Sequence, residues 1–293
     1  MCFSKKVMFL FSTVHFRDAI ERIGTLLRDA PLIHTEKWQG LDIRNNLNMA
    51  MHELLNVSLS VDGVTADLNN LRADVDPNLP WADDHFLERV NEEPLNPGVQ
   101  WRNWPWARSA DRFRTEKNES FTHTYMQRYW PKFAGVTSDG RTKDNLGRIL
   151  HQMSGVKPHD GIRYVYGDLN DVISLLHREP HTRQAYLPVW FPEDTGVSHG
   201  GRVPCTLGYH FIMRDDALHV VYYLRSCDYR RHFRDDIYLT VRLLIWMLSE
   251  LKKRDAFWGG VSPGTYTMHV TSMHIFQADL PWLTDELKNN DHD

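Results

Sequence analysis

The C-terminal part of the chain orders its apolar residues as three strands, a helix and a further strand, and this order constrains the fold most. From Arg183 onward the sequence is β-rich over 184–191, 206–213 and 217–224, with a turn expected at Arg214-Asp215-Asp216. The Val and Tyr runs of Leu218–Tyr223 predict a buried strand. The period then changes. Val241, Leu244, Ile245, Leu248 and Leu251 fall on one face of a helix expected over Ile237–Lys252. A Pro263-Gly264 turn is expected before a final strand, Tyr266–Phe276. Strands interrupted by so strong a helix imply an α/β architecture with a mixed sheet.

Upstream, residues 17–29 and 43–60 read as helices, the second because Leu47, Met51, Leu54, Leu55 and Leu59 recur at helical spacing. The stretch 74–108 is rich in Pro, Asn and Trp without a period, and reads as a long, partly ordered loop region. Its tryptophans, among them Trp81, Trp101, Trp104 and Trp106, imply that core or a flat ligand is covered there. Residues 115–160 read as a surface insertion with a helix near 144–153. With neither an internal repeat nor a low-complexity linker, 1–293 reads as one domain.

Composition narrows the function classes. A formal charge of −4 argues against a general nucleic-acid binder, so any arginine that meets a phosphate acts locally. Three cysteines without a Cys-x-x-Cys pair suit a reducing interior. The apolar run Val7–Phe11 is only about five residues, short of a signal peptide. No run approaches the roughly 18 apolar residues of a membrane span, so a cytoplasmic location is expected. Histidines 210, 219, 269 and 274 lack compact ligand spacing, and no metal is expected.

Chemistry concentrates late in the chain. Cys205, after Pro204 at the head of a strand, reads either as a small buried hydrophobe or as a thiolate activated by Arg183, Arg202 and Arg225. Cys227 and Cys2 are taken as non-catalytic. Arg225-Ser226 offers a guanidinium fork and a hydroxyl, the parts of a phosphate anchor, or else ends a strand in a solvated turn. Arg230–Asp236 is either a solvated loop or the opening of a helix, with Asp235 or Asp236 as its first acid.

Taken in order, these motifs resemble the thymidylate synthase superfamily, patchily over residues 40–105 and more continuously over 180–280. His52-Glu53-Leu54-Leu55 is similar to the family's His-Glu-Leu-Leu helix, Trp81-Ala82-Asp83-Asp84 to its Trp-Ala-Asp-Glu loop, and Gln100-Trp101-Arg102 to its Gln-Trp-Arg. Thr182-Arg183-Gln184 resembles its Ser-Arg-Arg. Pro204-Cys205, Arg225-Ser226-x-Asp228, Asp236-Ile237, Pro263-Gly264 and His274-Ile275-Phe276 complete the series. The resemblance implies the family's fold, a mixed sheet flanked by helices, and a homodimer joined sheet to sheet. It also implies roles. Cys205 is the nucleophile toward a pyrimidine ring and Glu53 organises water and proton transfers. Arg225, Ser226 and Arg183, the last reaching the neighbouring subunit, hold the phosphate. His274 lies near the sugar, while Trp81 and Asp228 meet the folate.

The departures point to a subtype. Asp236 stands where a synthase has asparagine. A carboxylate accepts from the cytosine amino group and favours a proton at ring N3, the pattern of the cytidylate 5-hydroxymethylases. Asn78 replaces a second tryptophan over the folate, a smaller polar group that would admit water; Phe276 replaces a sugar-contacting tyrosine and Gln184 a phosphate arginine. Pro97 stands near an expected tyrosine, and the segment Asn289–Asp293 is polar where the family has an apolar seal. The reaction implied is transfer of a one-carbon unit from 5,10-methylenetetrahydrofolate to C5 of cytidine monophosphate, CMP slightly before dCMP. Water then adds, with tetrahydrofolate as the other product. A nucleoside natural product and modified phage DNA are both open as the pathway. A methyl-transferring synthase and a non-catalytic nucleotide-binding homologue are the alternatives; Glu53 and Cys205 together count against the latter.

Overall fold

The computed structural model describes residues 8–38, 41–110, 121–131, 167–195 and 202–290. The helix expected near 144–153 and the residues 291–293 lie outside these. A seven-stranded mixed sheet runs in the order β1 (Phe9–Thr13), β5 (Met51–Val61), β9 (Ser262–Phe276), β8 (Ala217–Asp228), β7 (Thr206–Arg214), β6 (Tyr186–Pro188), with β2 (Leu32–Ile33) also paired to β5. The pairs β1–β5 and β8–β9 are parallel and the others antiparallel. A small hairpin of β3 (Lys37–Trp38) and β4 (Leu41–Asp42) stands apart. The helices are α1 (Phe16–Asp29), α2 (Leu68–Val75), α3 (Trp81–Arg89), α4 (Ala107–Ala110), α5 (Tyr125–Tyr129), α6 (Leu169–Arg178), α7 (Arg234–Arg254) and α8 (Leu280–Asn290). α1 and α7 pack on the sheet, and α2, α3 and α6 pack in turn on α7. No described helix is long and apolar enough to cross a membrane.

The C-terminal order holds with one correction. Arg214 and Ala217 pair across a hairpin whose central Asp215 and Asp216 both take left-handed φ, 50° and 55°. α7 covers the expected helix and extends it by a turn toward its start. Pro263 and Gly264, however, are no turn. They lie inside β9, which starts at Ser262 and pairs with β8 through an irregularity between Leu218 and Val220. The His219 ring lies over Gly264, where a Cβ would meet its Nδ1 at 2.7 Å. The missing side chain thus serves close packing.

The second expected helix is also corrected: Leu47–Met49 form one short 3₁₀ turn, and Met51–Val61 is a strand. The cause is a phase change in the sheet. In β5 the buried positions are His52 and Leu54, then Val57, Leu59 and Val61, with Asn56 between them at φ 56°. β9 shifts likewise from Val270 to Met273, and β8 from Leu224 to Cys227. Leu224 pairs with Val270 and Val270 with Val57, so the three shifts lie side by side. This interruption of the period of two leaves leucines at intervals that imitate a helix. Beyond it, Ser226, Asp228, Ser272, His274 and Phe276 face a cavity, while Cys227, Met273 and Ile275 join the core.

Residues 74–108 are corrected in part, since they contain α3, a 3₁₀ stretch Val99–Asn103 and α4. α3 escapes a hydrophobicity reading because Arg89 is buried on it beside Ala82 and Phe86. Trp81 opens α3 rather than lying in a loop.

Candidate active site

Two cavities meet at one thiol. The first is aromatic, walled by Trp81, Trp101, Trp104 and Phe121, with Asp236 and Glu88 also lining it. The second is polar, lined by Arg225, Ser226, Asp228, Arg231, His274 and Phe276 among others. Cys205, Ser226, Arg202, Trp104 and His232 border both. The free space inside them is about 160 and 470 Å³.

Cys205 immediately precedes β7, and its carbonyl accepts from the Arg225 N–H at 2.9 Å. The Arg225 guanidinium is turned toward the same corner: Nε donates to Pro204 O at 2.8 Å and Nη2 to Val203 O at 3.1 Å, with Nη2 3.8 Å from Cys205 Sγ. Of the three arginines expected around the thiol, Arg225 and Arg202 are present. Arg183 is exposed, its carbonyl bound by His210 Nε2, and does not line either cavity. Burial pushes the Cys205 thiol up; the charges of Arg225 and Arg202 draw it back, and Asp236 and Asp228 oppose them. The resting thiol is therefore protonated.

Asp236 lies in the first turn of α7, as expected of a helix-opening acid, and lines the aromatic cavity. Burial raises its carboxyl to about 7 against the pull of Arg89, and neighbouring Asp235 adds to the rise. Cys227 Sγ donates toward Asp236 Oδ2 at 3.7 Å. Asp235 is raised to about 6 by burial, although Asn78 donates both its backbone N–H and its side-chain amide to it at 2.8 Å. Asn78 is thus spent on Asp235 and does not line the cavity it was expected to open to water.

Glu53 does not join Cys205. It stands on β5 opposite His274, accepts from Ser272 Oγ at 2.5 Å, and lines neither cavity. The glutamate brought to the aromatic cavity is Glu88, at the end of α3. Glu88 Oε1 accepts from the Gln100 N–H at 2.8 Å, and its carboxylate fills the space a Cβ on Gly98 would need. His85 and Arg89 share that helix face. Arg89 Nε donates to His85 Nε2 at 3.0 Å, and His85 Nδ1 lies 3.3 Å from Glu88 Oε2. Burial, aided by the Arg89 charge, lowers His85 to about 4. Burial opposes the Glu88 charge, but the His85 bond and the N–H groups of Gln100 and Val99 outweigh it and hold the carboxyl below its ordinary range.

Trp81 lines the aromatic cavity, with Nε1 donating to Gln100 O at 3.1 Å and its ring stacked on His85. Trp104 stacks on His232, and its buried Nε1 has no partner. Flat walls with an idle donor fit a planar heteroaromatic group. Asp228 faces the polar cavity instead, as does His274 beside it; burial lowers the His274 imidazole and leaves its Nδ1 without a partner. Among the described residues no group of His, Cys, Asp and Glu is arranged to hold a metal ion.

Glu88, His85, Arg89 and His232 were not picked out from the sequence as site residues. Only Glu88 left a signal, a Glu twelve residues before Gln100-Trp101, in a stretch with no visible helical period.

Sequence comparisons place the chain among known proteins. The chain is 31% identical over 109 residues to a protein of Methanococcoides burtonii named "Putative thymidylate synthase", covering 37% of this chain and 45% of that one. It is 30% identical over 149 residues to a protein of the same name from Methanosarcina barkeri, covering 47% and 64%. The chain thus spans less than two thirds of these curated relatives. A family model described as thymidylate synthase matches residues 44–293, most of the chain. The chain belongs to the thymidylate synthase family.

Proposed function

We propose that the protein is a folate-dependent pyrimidine-nucleotide C5 transferase, acting on cytidine monophosphate and ending in hydroxymethylation. The observation that carries this reading is the single thiol of Cys205 opening on both a polar and an aromatic cavity. A nucleotide whose phosphate meets Arg225 and Ser226 in the polar cavity presents its base to Cys205 and Asp236. The aromatic cavity holds the planar co-substrate against Trp81, Trp101 and Trp104. When bound, 5,10-methylenetetrahydrofolate supplies the one-carbon unit.

The residues divide the work. Cys205 adds to C6 of the base and makes C5 nucleophilic. Asp236, titrating near neutrality, accepts from the cytosine amino group and shares a proton with ring N3, which draws electrons from the ring during attack. Glu88 takes the water-orienting part first given to Glu53, because Glu88 is the ionised carboxylate that lines the cavity with Cys205. Arg183 on an exposed segment is assigned to the phosphate of a second copy. The open sheet face bearing Tyr186, Tyr223 and His269 would meet that copy.

The test is incubation with CMP, dCMP, UMP and dUMP plus methylenetetrahydrofolate in oxygen-18 water. A cytidylate product carrying one labelled oxygen, without dihydrofolate absorbance, is expected. Preferential turnover of uridylates overturns the base assignment, and a methylated product with stoichiometric dihydrofolate overturns the hydroxymethylation.

A further inference from the structure

We propose that the ion pair of Arg231 and Asp228 reads the ribose 2′-hydroxyl, which makes the site selective for ribonucleotides. The inference rests on the nucleotide reading of the same cavity and assigns these residues a part in sugar choice.

Asp228 and His274 are directly opposed on β8 and β9, and both face the polar cavity next to Ser226. Arg225, Ser226 and Cys205 border the same cavity, so a nucleotide held there by its phosphate and reaching the thiol carries its sugar into it. Asp228 Oδ1 accepts the N–H groups of Arg230 and Arg231, each at 3.1 Å, and its Oδ2 accepts from Arg231 Nη1 at 2.7 Å. A carboxylate offers about four lone-pair positions, so one remains for a ligand. Arg231 also pairs with Asp279 through Nη2 at 2.8 Å, and its guanidinium lies over the Phe276 ring at 4.9 Å. Two of about five N–H donors are thereby engaged and the rest remain available.

The two side chains therefore combine neutralised charge, fixed orientation, an idle acceptor and idle donors. That is the complement of a hydroxyl, which both gives and takes a hydrogen bond. The π turn Tyr229–Phe233 after β8 gives the pair its geometry, because the Asp228 carboxylate caps it and Arg231 reaches back from within it. Phe276 contributes an apolar platform under the guanidinium and no hydroxyl of its own. The neighbouring His274, which faces the same cavity, supplies a further contact for the sugar. A deoxyribonucleotide would bring no hydroxyl to this prearranged pair, and a polar site left unmatched in this way discriminates strongly.

The experiment is calorimetric titration of the intact protein with CMP, dCMP and arabinosyl-CMP in the absence of folate. CMP is expected to bind roughly tenfold or more tightly than dCMP, with arabinosyl-CMP no better than dCMP, since its 2′-hydroxyl points to the other face. In Arg231→Met, which keeps an apolar stem on Phe276, CMP should fall to the dCMP level while dCMP stays within about twofold. Equal affinities for CMP and dCMP in the unaltered protein overturn the proposal whether or not the variant folds. Equal losses for both nucleotides in Arg231→Met overturn it as well, since they mark a merely structural pair. Product identity plays no part in these titrations, so a failed hydroxymethylation assay and a failed sugar reading are distinguishable.

Discussion

Arg89 donates from Nε to Nε2 of His85, and this bond fixes which ring nitrogen of His85 carries the hydrogen. A neutral imidazole that accepts at Nε2 must carry its hydrogen on Nδ1, where it points at Glu88 Oε2. Arg89 keeps its charge although burial opposes it, since a guanidinium does not lose its proton in a protein and the Asp236 carboxyl nearby favours it. The same arginine therefore acts on Asp236 directly and on Glu88 through His85. Burial, against the pull of Arg89, then separates the carboxyl groups that line the aromatic cavity: Asp236 is raised to about 7 and Asp235 to about 6, while Glu88 is held below its ordinary range.

Glu88→Gln is accordingly expected to lower kcat by about 10²- to 10⁴-fold with nucleotide affinity little changed, whereas Glu53→Gln should stay within about tenfold. Steady-state kinetics on both variants decides between them, and the reverse ranking returns the role to Glu53. His85→Leu removes the donor that holds Glu88 low, so the acid limb of the pH–rate profile should move to higher pH. His85→Gln, able to accept from Arg89 and donate to Glu88, should restore the limb. An unmoved limb in His85→Leu would show that His85 is only packing.

The C-terminal strands and the residues proposed to hold the nucleotide are legible in the sequence because each is local. Val and Tyr runs mark β8, a five-residue apolar stripe marks α7, and Cys205, Arg225 and Asp236 lie next to elements of clear period. Glu53 and Glu88 show where locality ends. The His-Glu-Leu-Leu string carries familiar letters on a strand, since a phase shift shared by three strands makes its leucines look helical. The helix bearing Glu88 hides for the opposite reason. His85 and Arg89 face inward there, so the polar residues that form the site erase the stripe by which a helix is recognised. A buried charged network needs partners distant in sequence, here the Val99–Gln100 turn and Asp236, and no window along α3 contains them.

Cys205→Ala should abolish turnover, a loss of at least roughly 10³-fold, while nucleotide affinity persists because Arg225 and Ser226 remain. Cys227 is buried at the edge of the aromatic cavity, and burial and then Asp236 raise its thiol well above the ordinary range, which disfavours the thiolate. Cys227→Ala should retain activity and lose stability modestly. Mass spectrometry of a trapped covalent adduct with a 5-fluorinated nucleotide checks the point: attachment at residue 227 would refute the assignment.

Asn78→Ala tests whether Asn78 serves Asp235 or solvent access. Without the amide, a buried carboxyl loses one of its two donors, and a stability loss of about 1–3 kcal/mol is expected in urea unfolding. The ratio of hydroxymethylated to methylated product should not change. A shifted ratio at unchanged stability would place Asn78 on the water path instead.

Asp236 gives the last prediction, in which stability and specificity move oppositely. Its folded value of about 7 exceeds the ordinary carboxyl value near 3.9, so the unfolded chain releases this proton first as pH rises. The stability associated with the protonated form is complete below about pH 4 and drains away as pH climbs through the folded value near 7. Asp236→Asn carries no such proton. It should match the unaltered protein near pH 4 and exceed it at pH 8 by an amount on the order of a few kcal/mol, read as a widening gap in urea midpoints. Asp235, raised for the same reason, is present in both proteins and largely cancels. The asparagine cannot share a proton with cytosine N3, yet it can donate and accept as uracil requires, so turnover should shift from cytidylate toward uridylate. A variant less stable than the parent at pH 8 would mean that the buried carboxyl is paired more strongly than its surroundings indicate. Unchanged cytidylate preference would remove Asp236 from base recognition.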